Sequence, residues 1–577
     1  MSALAAKPVR TRLARDLARL EALRWEFGPA AARERRATFR RVLRARLGSV
    51  ALIERLHECL LAARAYPDDD ATLILVDRAL QTFAQRADVR VLHARLADSG
   101  IAGADIRFAF FAPTARRLAA RWPGRLDVDW DEFRDNDNSA ALEEWLPQLA
   151  HDAEVPSLDE YDFGLRDWLG RLKSAREADG AFLARQLSAR LADDAVFERV
   201  HDGLGIPYRL RGDGAERNSD PTPSRTRARW PVRAIRFQNG AFAGRPDLTV
   251  AAAAPPRRIT PLSLRDGERA VALAMETMVT RARDLDVFAW GDARDVRHID
   301  CGDGLSFLMI GARPERRLLL ESVYGFLTLK NGVPVGYVLT SALYRSAEIA
   351  FNVFDTFRGA EAGPVYGKVV GMTRALFGTE TFTIYPYQLG DHNEEAVESG
   401  AWWFYQKLGF RPRTRATRAL MQRELARMQR TPGYRSGAST LRKLARTNLY
   451  WSLGPERDDV IGELELPAAG AAVTQMIARR FAGDRGRAAS ECEREARALL
   501  GASPSGWSAE ERHAWQRWAP LVTLLPNVAR WPVAQQLALA AVIRAKGARR
   551  EDAFARAFDA HPRLAVTLVE LVRATKT

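Results

Sequence analysis

Residues 398–410 read ESGAWWFYQKLGF, and this stretch carries more structural information than any other part of the 577-residue chain. Its apolar and aromatic residues recur at helical spacing up to Gly409, a residue typical of helix C-termini. Asp391, followed three residues later by Glu394, matches a capping box, so we predict one helix from there to that glycine. A strand-like run from Thr381 to Tyr387 precedes this helix.

The segment upstream combines a second strand with a turn of small residues. Ala347 to Phe354 is predicted to be a strand, and alternation places Glu348 and Asn352 on the same face of it. The chain continues with FRGAEAG at 357–363 and then with a helical pattern that ends at Gly378. Because the first N–H groups of a helix and its dipole favour negative charge, the start of this helix is a candidate anion site.

Further strand patterns lie before these elements. Leu305 to Ile310 is one apolar run, and Tyr324 to Leu329 and Val335 to Thr340 flank the turn signal Asn331-Gly332, which favours a hairpin. The predicted fold class of this part of the chain is therefore α/β.

The flanking regions differ from this part in pattern. Residues 1–205 show helical periodicity, and residues 206–258 are rich in Pro, Gly and Arg, which indicates a linker or irregular arm. The α/β domain is predicted at 259–420. A hinge rich in Gly, Ser and Thr then leads to a helical domain at 431–577, so both flanking domains are predicted to be all-α.

Over about residues 260–420 the chain resembles the GNAT superfamily of N-acyltransferases, and its Ala-Glu-Ile-Ala-Phe strand is closest to the histone-acetyltransferase branch. The family's phosphate loop reads Arg or Gln, two residues, Gly, one residue, then Gly or Ala. Arg358 and Gly363 match its ends, and Glu361 stands where the middle glycine is expected. The resemblance implies an α/β fold with a GNAT-like mixed sheet that has helices on both faces. It also implies acetyl-CoA or another acyl-CoA as cosubstrate. It implies that the following residues contact this molecule: Asn352, Val353, Arg358, Gly359, Ala360, Ala362 and Gly363.

The resemblance also implies catalytic roles. Glu348 matches the family's general base, and Tyr405 matches the tyrosine that protonates the departing thiolate. A backbone N–H near Asn352 or Val353 would polarise the carbonyl. Many members carry Asn seven residues before the tyrosine, where this chain has Glu398. The acceptor would be an unidentified amine, either a small molecule or a protein.

Simpler readings of the same residues stay open. Glu348 could be an exposed edge-strand glutamate, Tyr405 a core residue, and the turn after Arg358 an ordinary strand-to-helix connection. The chain would then be a catalytically degenerate scaffold that binds an acidic protein or a nucleic acid. Its net charge of +15 is concentrated at 1–46, which sums to +9, and at 411–450, which sums to +10. A solvated basic face is the favoured interpretation of these segments, and a nucleic-acid partner is the less favoured one.

Several classes of protein are not indicated by the sequence. The three cysteines form no CxxC pair and fit a reducing cytoplasm, and neither a signal peptide nor a membrane span is predicted. Cys301 lies between Asp300 and Asp303, whose charges would raise its pKa, so an activated nucleophile is not expected. The sequence has no HExxH motif, P-loop, GxSxG motif or Cys/His metal spacing, so no metal site is predicted.

Overall fold

The structure is a computed structural model, and it describes residues 3–134, 138–149, 157, 160–161, 163–191, 193–214 and 220–575. The chain folds into two compact units. The first comprises residues 1–241, 268–290 and 329–335, and the second comprises residues 242–267, 291–328 and 336–577.

The first unit is mainly helical. Polar caps define several of its helix starts; Ser49 and Asp69, for example, accept hydrogen bonds from backbone N–H groups in the first turns of their helices. The α-helices that lie wholly or mostly in this unit are Ala3–Ala22, Pro29–Arg44, Val50–Ala65, Asp70–Gln81, Ala87–Leu92, Ala112–Arg121, Trp130–Arg134, Asn138–Trp145, Leu165–Leu172, Asp179–Arg190, Asp194–Leu204, Leu264–Val279 and Asp286–Ala289.

The first unit also contains a small sheet, which corrects the prediction of an all-α N-terminal domain. Strands β1 (Ile106–Phe108), β2 (Leu126–Val128) and β3 (Tyr208–Leu210) form an antiparallel sheet in the order β1-β3-β2. Each strand has three residues, which is too short to produce a recognisable alternation in the sequence. Because β3 lies within 206–258, the region predicted as a linker begins with an ordered strand.

The second unit is built on a mixed sheet that has nine strands within the described residues. The order across the sheet is β11-β12-β10-β9-β8-β7-β6-β5-β4. The strands are β4 (Arg258–Pro261), β5 (Gly291–Gly302), β6 (Leu305–Ala312), β7 (Ser322–Lys330), β8 (Val333–Leu343), β9 (Ser346–Val353), β10 (Thr381–Ile384), β11 (Arg411–Pro412) and β12 (Leu449–Ser452).

All but one of the following strand pairs in this sheet are antiparallel. The pairs β4–β5, β5–β6 and β8–β9 are antiparallel, β9–β10 is parallel, and β12 is antiparallel to both β10 and β11. The turn between β7 and β8 has φ of 50° at Asn331 and 80° at Gly332, which is the left-handed geometry that Asn-Gly supplies in tight hairpins. The predicted mixed α/β fold class is confirmed at this level.

Helices cover both faces of the sheet. One face of β9, formed by Ala347, Ile349 and Phe351, packs into a core with the helix Ala362–Phe377, whereas a second core covers Leu343 of the adjacent strand with the C-terminal helices. The α-helices of this unit are Leu248–Ala253, Ala362–Phe377, Pro386–Leu389, Glu394–Ser399, Ala401–Leu408, Arg415–Arg430, Ala438–Leu444, Pro467–Phe481, Arg485–Leu500, Ala509–Val522, Val533–Gly547, Asp552–Ala560 and Leu564–Ala574.

Three details of the predicted elements differ from the structure. The strand expected from Thr381 to Tyr387 ends at Ile384, and a short helix begins at Pro386. The helix expected between Asp391 and Gly409 is two helices, because Gly400 adopts φ of 67° and ends the first of them, and Asn393 rather than Asp391 caps it. Strand β12 lies beyond residue 431, in the part predicted to be helical, and it completes the sheet beside β10. In the described part of the chain, no helix combines the length and apolar character required to cross a bilayer.

Candidate functional site

The candidate site lies where β9 and β10 stop pairing. Their parallel register runs from Ser346 opposite Thr381 to Glu348 opposite Thr383, whereas β9 continues to Val353. A cleft of about 440 Å³ opens beside the end of β9 that extends beyond its pairing with β10 and remains paired with β8. Its lining residues are Phe351, Asn352, Val353, Arg358, Gly359, Ala362, Gln388, Asn393, Glu395, Ala396, Glu398, Ser399, Ala401, Phe404 and Tyr405.

The turn after β9 forms one wall of the cleft. Gly359 has φ of 87°, a backbone conformation that residues other than glycine adopt only with strain. The helix that follows begins at Ala362. Five of the seven residues expected to contact a cofactor line the cleft: Asn352, Val353, Arg358, Gly359 and Ala362.

The other two expected contact residues do not line the cleft. Ala360 and Gly363 lie in the same turn and at the start of the helix, outside the lining set. A side chain on Gly363 would meet Cδ of Pro246 at 3.5 Å, so this glycine faces the preceding arm of the chain. Glu361, at the N-cap position of this helix, is also outside the lining set of the described residues.

Arg358 lines the cleft but is already engaged by carboxylates. Its guanidinium pairs with Asp355 at 2.8 Å and with Glu395, and its side chain is 42% exposed. Glu398 also lines the cleft. The carboxylates that line the cleft are therefore Glu395 and Glu398, and Asp355 also pairs with Arg358. Glu395 was missed at the level of sequence, since it reads as an ordinary first-turn helix residue.

Tyr405 lines the cleft from the opposite wall, on the helix Ala401–Leu408. It is 2% exposed, and burial raises the pKa of its phenol far above the ordinary value. A hydrogen bond between the backbone of Phe351 and the Tyr405 hydroxyl lowers that pKa by a smaller amount. The ring packs against the rings of Phe404, Tyr366 and Phe410 at centroid distances of 5.2, 5.5 and 5.8 Å. A phenol in this setting stays protonated at neutral pH and can act as a proton donor.

Glu348 lies on the other face of β9 and does not line the cleft. It is half-buried, with Ser341 and Thr383 beside it in the neighbouring strands. Burial raises the pKa of its carboxyl to about 7, and the nearby carboxylate of Glu321 adds to this. Within the described residues the structure gives the Glu348 carboxylate no cation and no hydrogen-bond donor. A carboxylate in this state can remove a proton near neutral pH.

Asn352 connects the two parts of the site. It shares the strand face of Glu348 by alternation, and it also lines the cleft. Its Oδ1 is buried and has no hydrogen-bond partner in the described part of the chain. A buried acceptor without a donor is unfavourable in a folded protein, so its position suggests that a ligand or water supplies the missing hydrogen bond.

Two further residues near Glu348 had no distinct sequence signal. Glu321 accepts a hydrogen bond from the Ser341 hydroxyl at 2.9 Å, and Tyr385 lies close enough to both Glu348 and Glu321 that their charges, after burial, raise the pKa of its phenol. Glu321 directly precedes β7 and Tyr385 directly follows β10, and no local pattern in the sequence predicts that these two positions lie near Glu348. Only the order of strands in the sheet places them together.

Cysteine and metal chemistry is not indicated at this site. Burial is the main cause that raises the pKa of Cys301 to about 12; Lys368 lowers it and Asp300 adds a smaller increase. The expected direction for Cys301 is therefore confirmed, with burial rather than neighbouring charge as the principal reason. The described residues contain no group of three or more His, Cys, Asp and Glu side chains placed to hold a metal ion.

Comparisons of this chain with protein-family models, with curated proteins and with solved structures find no significant match.

Proposed function

We propose that the protein is an acyl-CoA-dependent N-acyltransferase that transfers an acetyl or other acyl group to an amine by direct attack. The observation that carries the proposal is the cleft where β9 separates from β10. Tyr405 lies in the wall of this cleft, and Glu348, whose carboxyl has a pKa of about 7, lies on β9. The resemblance to the GNAT superfamily agrees with this arrangement of a strand, a turn and a helix.

The acyl carrier would enter along the turn that follows β9. Its pyrophosphate would approach the first N–H groups of the helix Ala362–Phe377, where the helix dipole favours negative charge. Gly359 keeps this turn free of a side chain, and Arg358 supplies a positive charge once it exchanges a carboxylate partner for a phosphate. The unpartnered Oδ1 of Asn352 is available to accept a hydrogen bond from an amide N–H of the carrier arm.

The chemical step needs a base, a polarised carbonyl and an acid. The amine nitrogen attacks the thioester carbonyl carbon, and one amine proton passes through a water molecule to Glu348, which lies outside the cleft lining. Backbone N–H groups near Asn352 and Val353 would stabilise the oxyanion. The C–S bond then breaks, and Tyr405 donates its proton to the departing thiolate. Exchange with water returns both groups to their starting states.

Ligand binding tests the proposal directly. Acetyl-CoA at a hundredfold excess over its dissociation constant should raise the free energy of unfolding by about 2.7 kcal/mol, which thermal unfolding detects. Release of free CoA in the presence of a panel of primary amines would measure turnover. The absence of any thermal shift at millimolar acetyl-CoA would exclude the transferase.

A second candidate function is a scaffold without catalysis, and two observations favour it. The carboxylates of Asp355 and Glu395 already neutralise Arg358, so the cleft offers a phosphate little free positive charge. The segment between β11 and β12 also carries exposed basic side chains that form no ion pair within the described residues. These side chains are Arg415, Arg423, Arg430, Lys443 and Arg446. A polyanion such as duplex nucleic acid fits this surface better than a single small anion.

Binding of a fluorescein-labelled 20-bp DNA duplex of mixed sequence tests the scaffold. The affinity should fall steeply with salt, and an Arg415→Gln/Arg423→Gln/Arg430→Gln variant should bind more weakly and show a shallower salt dependence. The control is a variant in which Arg479, Arg485 and Arg563, three exposed arginines elsewhere in the same unit, are all replaced by Gln. It changes the net charge by the same amount. Equal binding by both triple variants would exclude this surface.

A further inference from the structure

A second cavity lies at the other end of the helix Ala362–Phe377. It has a volume of about 710 Å³ and touches the last turn of that helix, strands β4 and β5, and the start of the helix Asp552–Ala560. Its lining residues are Ile259, Pro261, Arg297, Ala375, Leu376, Ala548, Arg549, Arg550, Asp552, Ala553 and Arg556. Since Ala362 borders the first cleft and Ala375 borders this cavity, about 20 Å of helix separates the two.

The charge of this cavity is strongly positive. Its lining contains four arginines and one carboxylate, that of Asp552. This carboxylate is already shared by two of the arginines: it pairs with Arg297 at 2.9 Å and with Arg550 at 2.8 Å. The other two arginines, Arg549 and Arg556, therefore have no carboxylate partner in the cavity.

Arg549 and Arg556 are held in place by backbone carbonyls. Nε of Arg556 donates to the carbonyl oxygen of Leu376 at 2.7 Å, and a second N–H of this guanidinium donates to that of Ala375. Nε of Arg549 donates to the carbonyl oxygen of Arg294. A carbonyl does not neutralise a guanidinium, and several N–H groups of both side chains remain without an acceptor in the described chain. Both cations are thus fixed in position and available to an anion.

An unpartnered buried donor also borders the cavity. The side chain of Arg297 is 3% exposed, and its Nε–H has no acceptor among the described residues. The cavity therefore combines cationic groups that have no carboxylate partner with an unsatisfied buried donor.

The remainder of the lining is apolar. Ile259 and Pro261 contribute one apolar side, and Ala375, Leu376 and Ala548 contribute another. A simple inorganic ion would leave this surface without contacts. A ligand that carries an anionic group on an apolar body would satisfy both parts of the cavity.

We propose that this cavity is a binding site for an organic phosphate with an apolar or aromatic body. The phosphoryl group lies between Arg549 and Arg556, where a dianion balances most of the excess positive charge, and the body rests on Ile259 and Leu376. A phosphate monoester fits better than a carboxylate because two separate guanidinium groups can each bind a different pair of its oxygens. This site is independent of the acyl-transfer proposal.

Isothermal titration with phenyl phosphate as the probe tests the site. We expect saturable binding with one ligand per chain and an affinity at least about tenfold above that for inorganic phosphate or for benzoate. Arg549→Gln and Arg556→Gln should each weaken phenyl phosphate binding by about tenfold or more, and Arg549→Lys, which keeps the charge, should weaken it less. The matched control is Arg563→Gln, an exposed arginine outside the cavity, which should bind like the parent protein.

The variants separate binding from folding. Arg556 caps the last carbonyls of a helix, so its replacement could lower stability, and thermal unfolding of each variant identifies that case. Arg549 bonds to a single carbonyl, so Arg549→Gln is the variant on which the inference depends. Undiminished phenyl phosphate binding by this variant, or equal affinity for inorganic phosphate, would overturn the proposal.

Discussion

Arg358 forms an ion pair with Glu395, and both side chains line the cleft beside the end of β9. A phosphate that binds Arg358 must therefore displace a carboxylate and then lie close to it. Glu395→Gln removes the competing charge while it keeps the shape of the side chain. We expect this variant to bind CoA about three to tenfold more tightly, as measured by isothermal titration at moderate salt.

The neighbouring residue provides the control for this change. Glu394 forms a similar ion pair with Arg442 but does not line the cleft. Glu394→Gln alters the net charge by the same amount, so it should leave CoA affinity unchanged. If both variants bind more tightly to the same degree, the effect comes from overall charge and not from release of Arg358.

Glu348 should determine the acidic limb of the pH–rate profile. With a pKa of about 7, its carboxyl is an active base only above that pH, so acyl transfer should increase as the pH rises through 7. Glu348→Gln should lower kcat/KM by about 10²–10⁴-fold and abolish this limb, while acetyl-CoA still shifts the unfolding temperature. Glu321→Gln should keep turnover and move the limb to lower pH, because it removes a charge that raises the pKa of Glu348. Full turnover by Glu348→Gln would contradict its role as the base.

The same pKa predicts a pH-dependent effect on stability. Because burial raises the pKa of Glu348 from 4.5 to about 7, the folded protein holds this proton more tightly than the unfolded chain. Ionised Glu348 thus destabilises the fold above pH 7, and this destabilisation is lost as the pH falls from 7 towards 4.5. In urea unfolding, Glu348→Gln should raise the free energy of unfolding by about 1–3 kcal/mol at pH 8 and by little near pH 4.5. Glu394→Gln should not stabilise at pH 8, since Arg442 lowers the pKa of that carboxyl.

Tyr405 should act on the leaving group. Tyr405→Phe keeps the packed ring but removes the proton donor, so kcat should fall by about 10–100-fold with acetyl-CoA. The loss should be smaller with a thioester whose thiol has a low pKa, since that thiolate leaves without protonation. Tyr366 is the matched control: it is fully buried beside Tyr405, its hydroxyl has no partner among the described residues, and it does not line the cleft. Equal losses in Tyr366→Phe and Tyr405→Phe would indicate a packing effect instead.

Local patterns in the sequence account for the central elements of the second unit. The alternation through Glu348 predicts β9, and Gly378 and Gly409 mark helix ends that the structure retains at the same residues. Strand β12 could not be predicted in this way, because it has only four residues and its pairing with β10 depends on contacts about 70 residues away in the chain.

The same distinction applies to the site. Arg358, Gly359 and Tyr405 are indicated in the sequence by the resemblance to the GNAT superfamily, and they do line one cleft. Glu321 and Glu395 do not stand out, since a single glutamate in a strand or a helix is common. Glu321 raises the pKa of Glu348, and Glu395 forms an ion pair with Arg358, only because strand order and helix packing bring distant parts of the chain together.

Asn352 gives the last prediction. Its Oδ1 is buried against the cleft without a hydrogen-bond donor from the described residues, so a ligand that supplies an N–H there should gain affinity from it. Asn352→Leu should weaken acetyl-CoA binding by about five to tenfold and, because it removes an unsatisfied polar group, should leave the free energy of unfolding unchanged or raise it by about 1 kcal/mol. Calorimetric titration together with urea unfolding measures both effects. A structural role for this amide predicts the opposite changes in affinity and in the free energy of unfolding. A variant that loses stability and keeps its affinity for acetyl-CoA would show that the amide stabilises the fold and that the carrier arm does not reach the end of β9.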